Sequence, residues 1–435
     1  MQTIQGDSKV IKAWAFYDWA NSVYSLVIST AIFPMYYDAV TEGNFVKFLG
    51  IEWEHPNSLY TYALSFSFLI VAIISPILSG IADYRGNKKS FMKFFCLLGS
   101  LSVMSLYLFD GLSTTWIGII SSILASIGFW GSIVFYNAYL PELAHPEDHD
   151  RVSARGFING YIGSILLLLL CLSLVMFHDS FGLTEGVATR LSFVVVGLWW
   201  LGFAQITFKR LPKDKKIPKD QLEEGYLWKG FQELKKVLKE VKKDHPVLKR
   251  FLIAFFLLSV GVQTIILTAT LFGTAELKLG KINLIGTILI IQVLAILGAF
   301  LFSRISEKFG NIKALTITII VWMFVCFGAF LLHKDLNNIL VYFYLLGGVL
   351  GLVLGAIQSL ARSTYSKLIP ETDDHATYFS FFDVTEKIAI VTGTFVYGLL
   401  NAVTNSMQWS VLSLAIFFLA SLVVLLSLKK TKYVS

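Results

Sequence analysis

Twelve long apolar runs constrain this chain more than any other feature of it. They cover roughly residues 11–36, 59–82, 90–109, 115–140, 154–177, 190–208, 250–273, 283–303, 313–332, 339–364, 377–400 and 407–428, and each can cross a ~30 Å hydrocarbon core as a helix. Of the 435 residues 55% are hydrophobic and 15% charged, and the apolar ones gather in these runs, which excludes an ordinary soluble protein. The expected fold is an all-α polytopic membrane protein. The first run follows a polar start and carries a carboxylate, unlike a cleavable signal sequence, so the first helix is expected to be retained. Cys96, Cys171 and Cys326 lie inside apolar runs and indicate neither a disulfide framework nor a metal cluster.

Between the sixth and seventh runs lies a stretch too polar to enter the bilayer. It divides the chain into a bundle of six helices at 1–208, a linker at 209–249 and a second bundle of six at 250–435. With the N-terminus inside, the outer loops hold only Lys47, Arg190, Lys278, Lys281 and Lys334, and the other 31 of the 36 basic residues lie on or near the inner side. Both termini and the linker are therefore expected to be cytoplasmic, in the plasma (inner) membrane if the source is bacterial. From Lys209 to Arg250 there are 14 basic and 7 acidic residues, an excess equal to the +7 of the whole protein. The positive charge thus describes one loop and indicates no nucleic-acid partner. Leu227, Phe231, Leu234, Leu238 and Val241 repeat there at helical spacing with lysines around the other side. This amphipathic helix suits an anionic inner leaflet, although a plain tether between the halves would read the same way.

The stretch Trp14-Ala-Phe-Tyr-Asp18-Trp-Ala-Asn21 places a carboxylate inside the first span. On a helix of 3.6 residues per turn Asp18, Ser22, Ser25 and Ser29 share one face, with Asn21 beside them. A charge at that depth costs about 2.5–3.5 kcal/mol on insertion scales, so it faces a protein interior or a wet cavity. One face of this helix is expected to be free of lipid.

The two halves echo one another. Asp83-Tyr-Arg-Gly86-Asn87-Lys-Lys89 after the second span matches Glu307-Lys-Phe-Gly310-Asn311-Ile-Lys313 after the eighth, and Leu140-Pro141-Glu142 matches Ile369-Pro370-Glu371. Two six-helix repeats that both start inside imply parallel, pseudo-symmetric halves with substrate held near the midplane between them. Twelve spans in two sixes, a long central inner loop and acid-Gly-basic loops after spans 2 and 8 together resemble the major facilitator superfamily of secondary transporters. Trp14–Asn21, Tyr136-Asn-Ala-Tyr-Leu-Pro141, Arg151-Val-Ser-Ala-Arg-Gly156 with Gly160-Tyr-Ile-Gly163, and Gln358-Ser-Leu-Ala-Arg-Ser363 resemble the branch that includes the fungal vacuolar amino-acid effluxer of autophagy and its bacterial relatives.

That resemblance implies the major facilitator fold, with spans 1, 4, 7 and 10 lining a cavity and amino-acid transport as the leading activity. The cavity or substrate candidates are then Tyr17, Asn21, Ser25, Ser29, Trp130, Tyr136, Asn137, Gln263, Thr264 and Gln358. For the serines and threonines nearby, bonding back to their own helix is an equally physical use. The ladder Gly347, Gly351 and Gly355 speaks for close helix packing. Asp83, Arg85, Gly86 and Lys88 after span 2, with Glu307 and Gly310 after span 8, correspond to the family's inner latch and serve equally as topology signals.

Span 11 carries Asp383, Glu386 and Lys387. Asp383 and Lys387 are four apart with the acid first, an arrangement that pairs along one face and leaves Glu386 without a cation. Glu386 and Asp18 are candidates to carry a proton. Both lie roughly 10 Å from the inner ends of their spans at 1.5 Å per residue, which suits an inner gate of Asp18, Arg155, Arg362, Asp383, Glu386 and Lys387 better than a midplane site. An arginine at an inner helix end is also an ordinary snorkelling anchor.

The function expected is secondary transport of a small polar organic solute by alternating access, an amino acid first, with the bilayer, the solute and coupled protons as partners. A monomer without cofactor or metal is expected. A sugar, peptide or drug transporter, or a non-transporting receptor on the same fold, remains open at this point. A membrane-embedded enzyme is disfavoured: no P-loop, His-Glu-x-x-His or Gly-x-Ser-x-Gly motif is present.

Overall fold

The computed structural model describes residues 5–214 and 226–428, without the side chains of 226–230 and 281. Linker residues 215–225 and the side chains of Leu227 and Lys229 therefore lie outside the described residues. Among those described, twelve helices are long and apolar enough to span a membrane: Ser8–Thr41, Pro56–Arg85, Lys88–Leu108, Leu112–Leu143, Pro146–Met176, Glu185–Arg210, Pro246–Glu276, Ile282–Phe309, Asn311–Leu331, Ile339–Leu368, His375–Thr404 and Met407–Leu428. They are spans 1 to 12 below. The β-structure among the described residues is a hairpin in the loop after span 1, Val46–Phe48 paired antiparallel with Ile51–Trp53. Leu49 and Gly50 turn it with φ of 51° and 78°, the two positive φ values of a tight hairpin turn. Leucine is an unusual residue for that turn, so no Asn-Gly signal announced it.

The chain forms two compact units. The first holds residues 1–139 and 159–231, the second 140–158 and 232–435. In the first, span 1 packs on span 6, span 3 on spans 4 and 6, and span 2 on span 4. In the second, span 7 packs on span 12, span 9 on spans 10 and 12, and span 8 on span 10. These are the same four pairings displaced by six spans, the structural counterpart of the sequence repeat.

The repeated glycines have the geometry their loops need. Gly86 ends span 2 at φ 63°, with its N–H bonded to the Asp83 carbonyl and the Asn87 N–H to Ala82, a Schellman closure. Gly310 sits at φ 85° and ψ 152°, a region that side-chain-bearing residues rarely enter. The glycine ladder of span 10 does what small residues do between membrane helices. A Cβ on Gly351 would meet the Ile291 carbonyl, and one on Gly355 would meet that of Ala295, both on span 8. Gly355→Ala must push two backbones apart, and it is expected to cost about 1–3 kcal/mol, read as a lower midpoint of thermal unfolding in detergent. An unchanged midpoint would mean that spans 8 and 10 separate freely at this point.

Span 1 departs from a regular α-helix. It is α-helical over Ser8–Val23, widens to i→i+5 bonding over Tyr24–Ile32, and resumes over Phe33–Thr41 with Pro34 in its first turn. Pro34 cannot donate to the turn below, and its ring crowds the carbonyl four residues back, so a change of register just before it relieves the clash. The shared face predicted for Asp18 to Ser29 therefore holds only to Val23, because the α period lapses beyond it. Asp18 and Asn21 are buried, Ser29 is half-buried and Ser25 is exposed.

Candidate functional site

In the first unit, the stretch Trp14–Asn21 is gripped from three sides. The Trp14 ring stacks on Tyr136 of span 4 at 4.5 Å, and its indole N–H donates to the Tyr136 carbonyl at 2.8 Å. Tyr17 meets Tyr136 at 5.3 Å and Phe208 of span 6 at 5.9 Å. Trp19 stacks on Trp199 of span 6 at 5.6 Å, and the Trp199 indole donates to the Trp19 carbonyl at 3.1 Å. Thr207 donates to the Ala13 carbonyl at 2.6 Å and Asn159 of span 5 to that of Ala15 at 3.0 Å. Helix carbonyls have a second lone pair to accept such bonds, and each one fixes span 1 axially against its neighbour. Gly160 and Gly163 explain the Gly-Tyr-Ile-Gly motif of span 5. A Cβ on the first would meet the Ser22 hydroxyl at 2.5 Å, and one on the second the Trp19 carbonyl at 2.8 Å.

Asp18 is 3% exposed and accepts a hydrogen bond from the Tyr136 hydroxyl at 2.8 Å. A bond to a charged acceptor is worth about 1.5–3 kcal/mol and makes burial of the carboxylate tolerable. Three residues on, Asn21 is fully buried and its side-chain N–H2 has no hydrogen-bond partner. It stands just before the widened stretch with Ser25 and Ser29. The polar residues of span 4 divide in use. Ser122 bonds back to Ile119, and Ser126 accepts from Ser67 of span 2 at 2.7 Å. Trp130 is half-buried against Phe129 and Phe68, and Asn137 is buried. At the end of span 2, Lys88 lies 3.7 Å from the fully buried Asp83 carboxylate.

The second unit gathers the charged residues of span 11. The Lys387 ammonium lies 2.9 Å from Asp383 and 3.3 Å from Glu386, and Gln263 of span 7 donates to the other Glu386 oxygen at 2.7 Å. Lys387 and Asp383 side chains are 2% and 5% exposed, Glu386 17%. Two carboxylates thus share one ammonium, so Glu386 is not left without a cation as the spacing of four implied. Two turns along, Gly393 lets span 11 close on Thr264, whose hydroxyl is buried without a partner. Gln358 on span 10 is half-buried.

Arg362 of span 10 is held by the segment after span 4. Its Nε donates to the Ser153 hydroxyl at 2.9 Å, a second nitrogen donates to the Ser153 carbonyl at 2.8 Å, and its guanidinium lies 4.2 Å from the Phe157 ring centre. Ser153 in turn donates to the Ser359 carbonyl at 2.8 Å. One turn away, Asp150 is 1% exposed and accepts from Lys367 at 2.7 Å and from Asn311 at 2.6 Å, while Lys367 also donates to Asn311 at 2.9 Å. His375, opening span 11, pairs with Glu142 at 3.2 Å. Arg155 and Glu307 are exposed. Asp150, Asn311, Lys367, Ser153 and the Glu142–His375 pair were missing from the sequence candidates. The repeat matches contain two of them, Asn311 and Glu142, and the Arg151–Gly156 stretch contains Ser153.

A small apolar cavity of about 60 Å³ lies in the second unit among spans 7, 8, 9, 10 and 12, walled by Ile265, Phe272, Leu284, Val325, Phe343 and Val411 with others. The hydroxyls of Thr268 and Thr287 at its wall turn back to the Thr264 and Asn283 carbonyls. Such walls offer a polar solute nothing to bind.

A sequence profile described as "Vacuole effluxer Atg22 like" matches residues 6–433. The uncharacterised MFS-type transporter YxiO of Bacillus subtilis (strain 168) is 30% identical over 96% of this chain and 94% of its own length. Autophagy-related protein 22 of Kluyveromyces lactis is 30% identical over 84% of this chain and 78% of its length. Among solved structures, that of the major facilitator superfamily transporter FucP in the outward conformation superposes with a TM-score of 0.70, covering 98% of this chain and 99% of that one at 14% identity.

Proposed function

The chain belongs to the Atg22-like vacuole effluxer family of major facilitator transporters, and from that membership we propose that it is a secondary transporter of a small polar organic solute, an amino acid first, working by alternating access. Transport by a multi-pass membrane protein is the family's function, and the relatives are transporters rather than enzymes. The observation that carries the polar solute is Asn21, a fully buried side-chain amide whose N–H2 group finds no partner in the protein. Leaving such a donor unpaired costs about 1–3 kcal/mol, and a carboxylate or carbonyl of the solute recovers it on binding. Tyr17, Ser25 and Ser29 are further candidate solute contacts, with Trp130, Tyr136, Asn137, Gln263, Thr264 and Gln358 as candidate cavity residues.

The remaining roles follow from the clusters. Glu386, the most exposed acid of its group, is the candidate to carry the coupled proton, and Asp383 with Lys387 is the fixed pair that positions it. Asp18 sets the Tyr136 ring. Arg362 belongs to the inner gate with the Asp150–Asn311–Lys367 cluster, and the loops around Gly86 and Gly310 are its latches. The halves 1–208 and 250–435 are the two rocking bundles, with termini and linker on the cytoplasmic side as the basic residues require.

The test is solute uptake by proteoliposomes across a library of amino acids, sugars and peptides, with and without an imposed proton gradient. Amino-acid flux is the expected result, and Asn21→Ala should weaken apparent solute affinity roughly tenfold, as expected for about 1.4 kcal/mol, with insertion intact. Sugar flux alone, or native affinity in the Asn21→Ala protein, would overturn the assignment.

A further inference from the structure

The linker helix Tyr226–Lys243 sorts its charges by face. Val237 and Val241 are buried in the second unit, and Glu233 and Glu240 are half-buried beside them. This face is fastened to the start of span 11: Lys236 lies 3.3 Å from Asp374 while pairing with Glu233, and the Tyr378 hydroxyl donates to Glu240 at 3.2 Å. Lys235, Lys239, Lys242 and Lys243 occupy an arc of about 100° on the opposite side at 100° per residue, and all four are exposed. No acid interrupts that arc. Leu238, 38% exposed, lies at its edge. The apolar stripe expected to enter the leaflet is thus replaced: its valine flank turns to the protein and its lysine flank turns outward.

Connectivity says where those lysines are. Only Asp244 and His245 separate Lys243 from Pro246, the first residue of span 7, and the exposed Lys249 and Arg250 stand on that span's first turn. A basic face tethered two residues from a membrane-spanning helix is held close to the bilayer, where anionic headgroups attract it.

We propose that the lysine face of the linker helix binds anionic phospholipid headgroups, and that its acidic face relays this occupancy to the start of span 11 through Asp374 and Tyr378. The lysines give point charges to phosphodiesters while Leu238 reaches the acyl boundary. The membrane is favoured over a soluble acidic partner because the tether fixes the patch at the bilayer surface.

The test uses the full chain in nanodiscs of phosphatidylcholine alone or mixed with phosphatidylglycerol, and needs no solute. Phosphatidylglycerol is expected to raise the unfolding temperature by a few degrees, less so at high salt, and to slow amide exchange both in the linker helix and at residues 374–380. Lys235→Gln, Lys239→Gln, Lys242→Gln and Lys243→Gln together should match the native protein in phosphatidylcholine and lose most of the shift in phosphatidylglycerol. An equal shift in the quadruple variant, or none in the native protein, would overturn lipid binding. Protection of the linker helix without residues 374–380 would overturn the relay.

Discussion

Lys387→Met is expected to destabilise the protein by about 3–5 kcal/mol, the usual cost of removing one partner from a buried ion pair. Its ammonium, 2% exposed, is shared by Asp383 at 2.9 Å and Glu386 at 3.3 Å. Without it, two carboxylates lie within one turn of span 11, Glu386 with the Gln263 amide as a donor. Methionine fills much the same volume, so the loss is electrostatic rather than a cavity. Adding Asp383→Asn and Glu386→Gln to Lys387→Met removes the repulsion and should return most of the stability. Chemical unfolding in mixed micelles measures both variants. A loss under about 1 kcal/mol for Lys387→Met would mean that water reaches the group freely and that it is not a fixed pair.

The second large effect is on coupling. Glu386→Gln should reduce proton-driven solute accumulation at least tenfold, equivalent to about 1.4 kcal/mol, while solute exchange between the two sides persists. A glutamine there keeps an acceptor for Gln263 and leaves Asp383 and Lys387 as a balanced pair, so helix geometry survives and only the carboxylate is gone. Stability should hold or rise, which separates this variant from Lys387→Met. Native accumulation in the Glu386→Gln protein would remove Glu386 from coupling and leave it a gate residue.

Length and hydropathy made the twelve spans legible, because nothing but a bilayer accommodates so many apolar runs. The repeat was legible too, and its glycines proved to hold positive φ at both loops. The Asp383–Lys387 pair followed from a spacing of four on one helix. Other features lay beyond pattern reading for identifiable reasons. The widening of span 1 breaks the period on which any shared-face argument depends, and only Pro34 hinted at it. Arg362 takes Ser153, 209 residues away in sequence, a choice that no local spacing encodes. The Tyr136 hydroxyl on Asp18 likewise joins residues 118 apart, which no spacing along one helix connects. Sequence reasoning found the residue types a site needs and could not pair them across the fold.

Asp150 has a consequence for biosynthesis. Its carboxylate belongs to the part of the chain made first, yet its cation Lys367 follows 217 residues later. At about 5–20 residues per second the ribosome needs roughly 10–40 s to supply it. Through that interval the Asp150 carboxylate lacks the cation it has in the folded protein. The Asp150–Lys367 pair can therefore form only after span 10 has been translated.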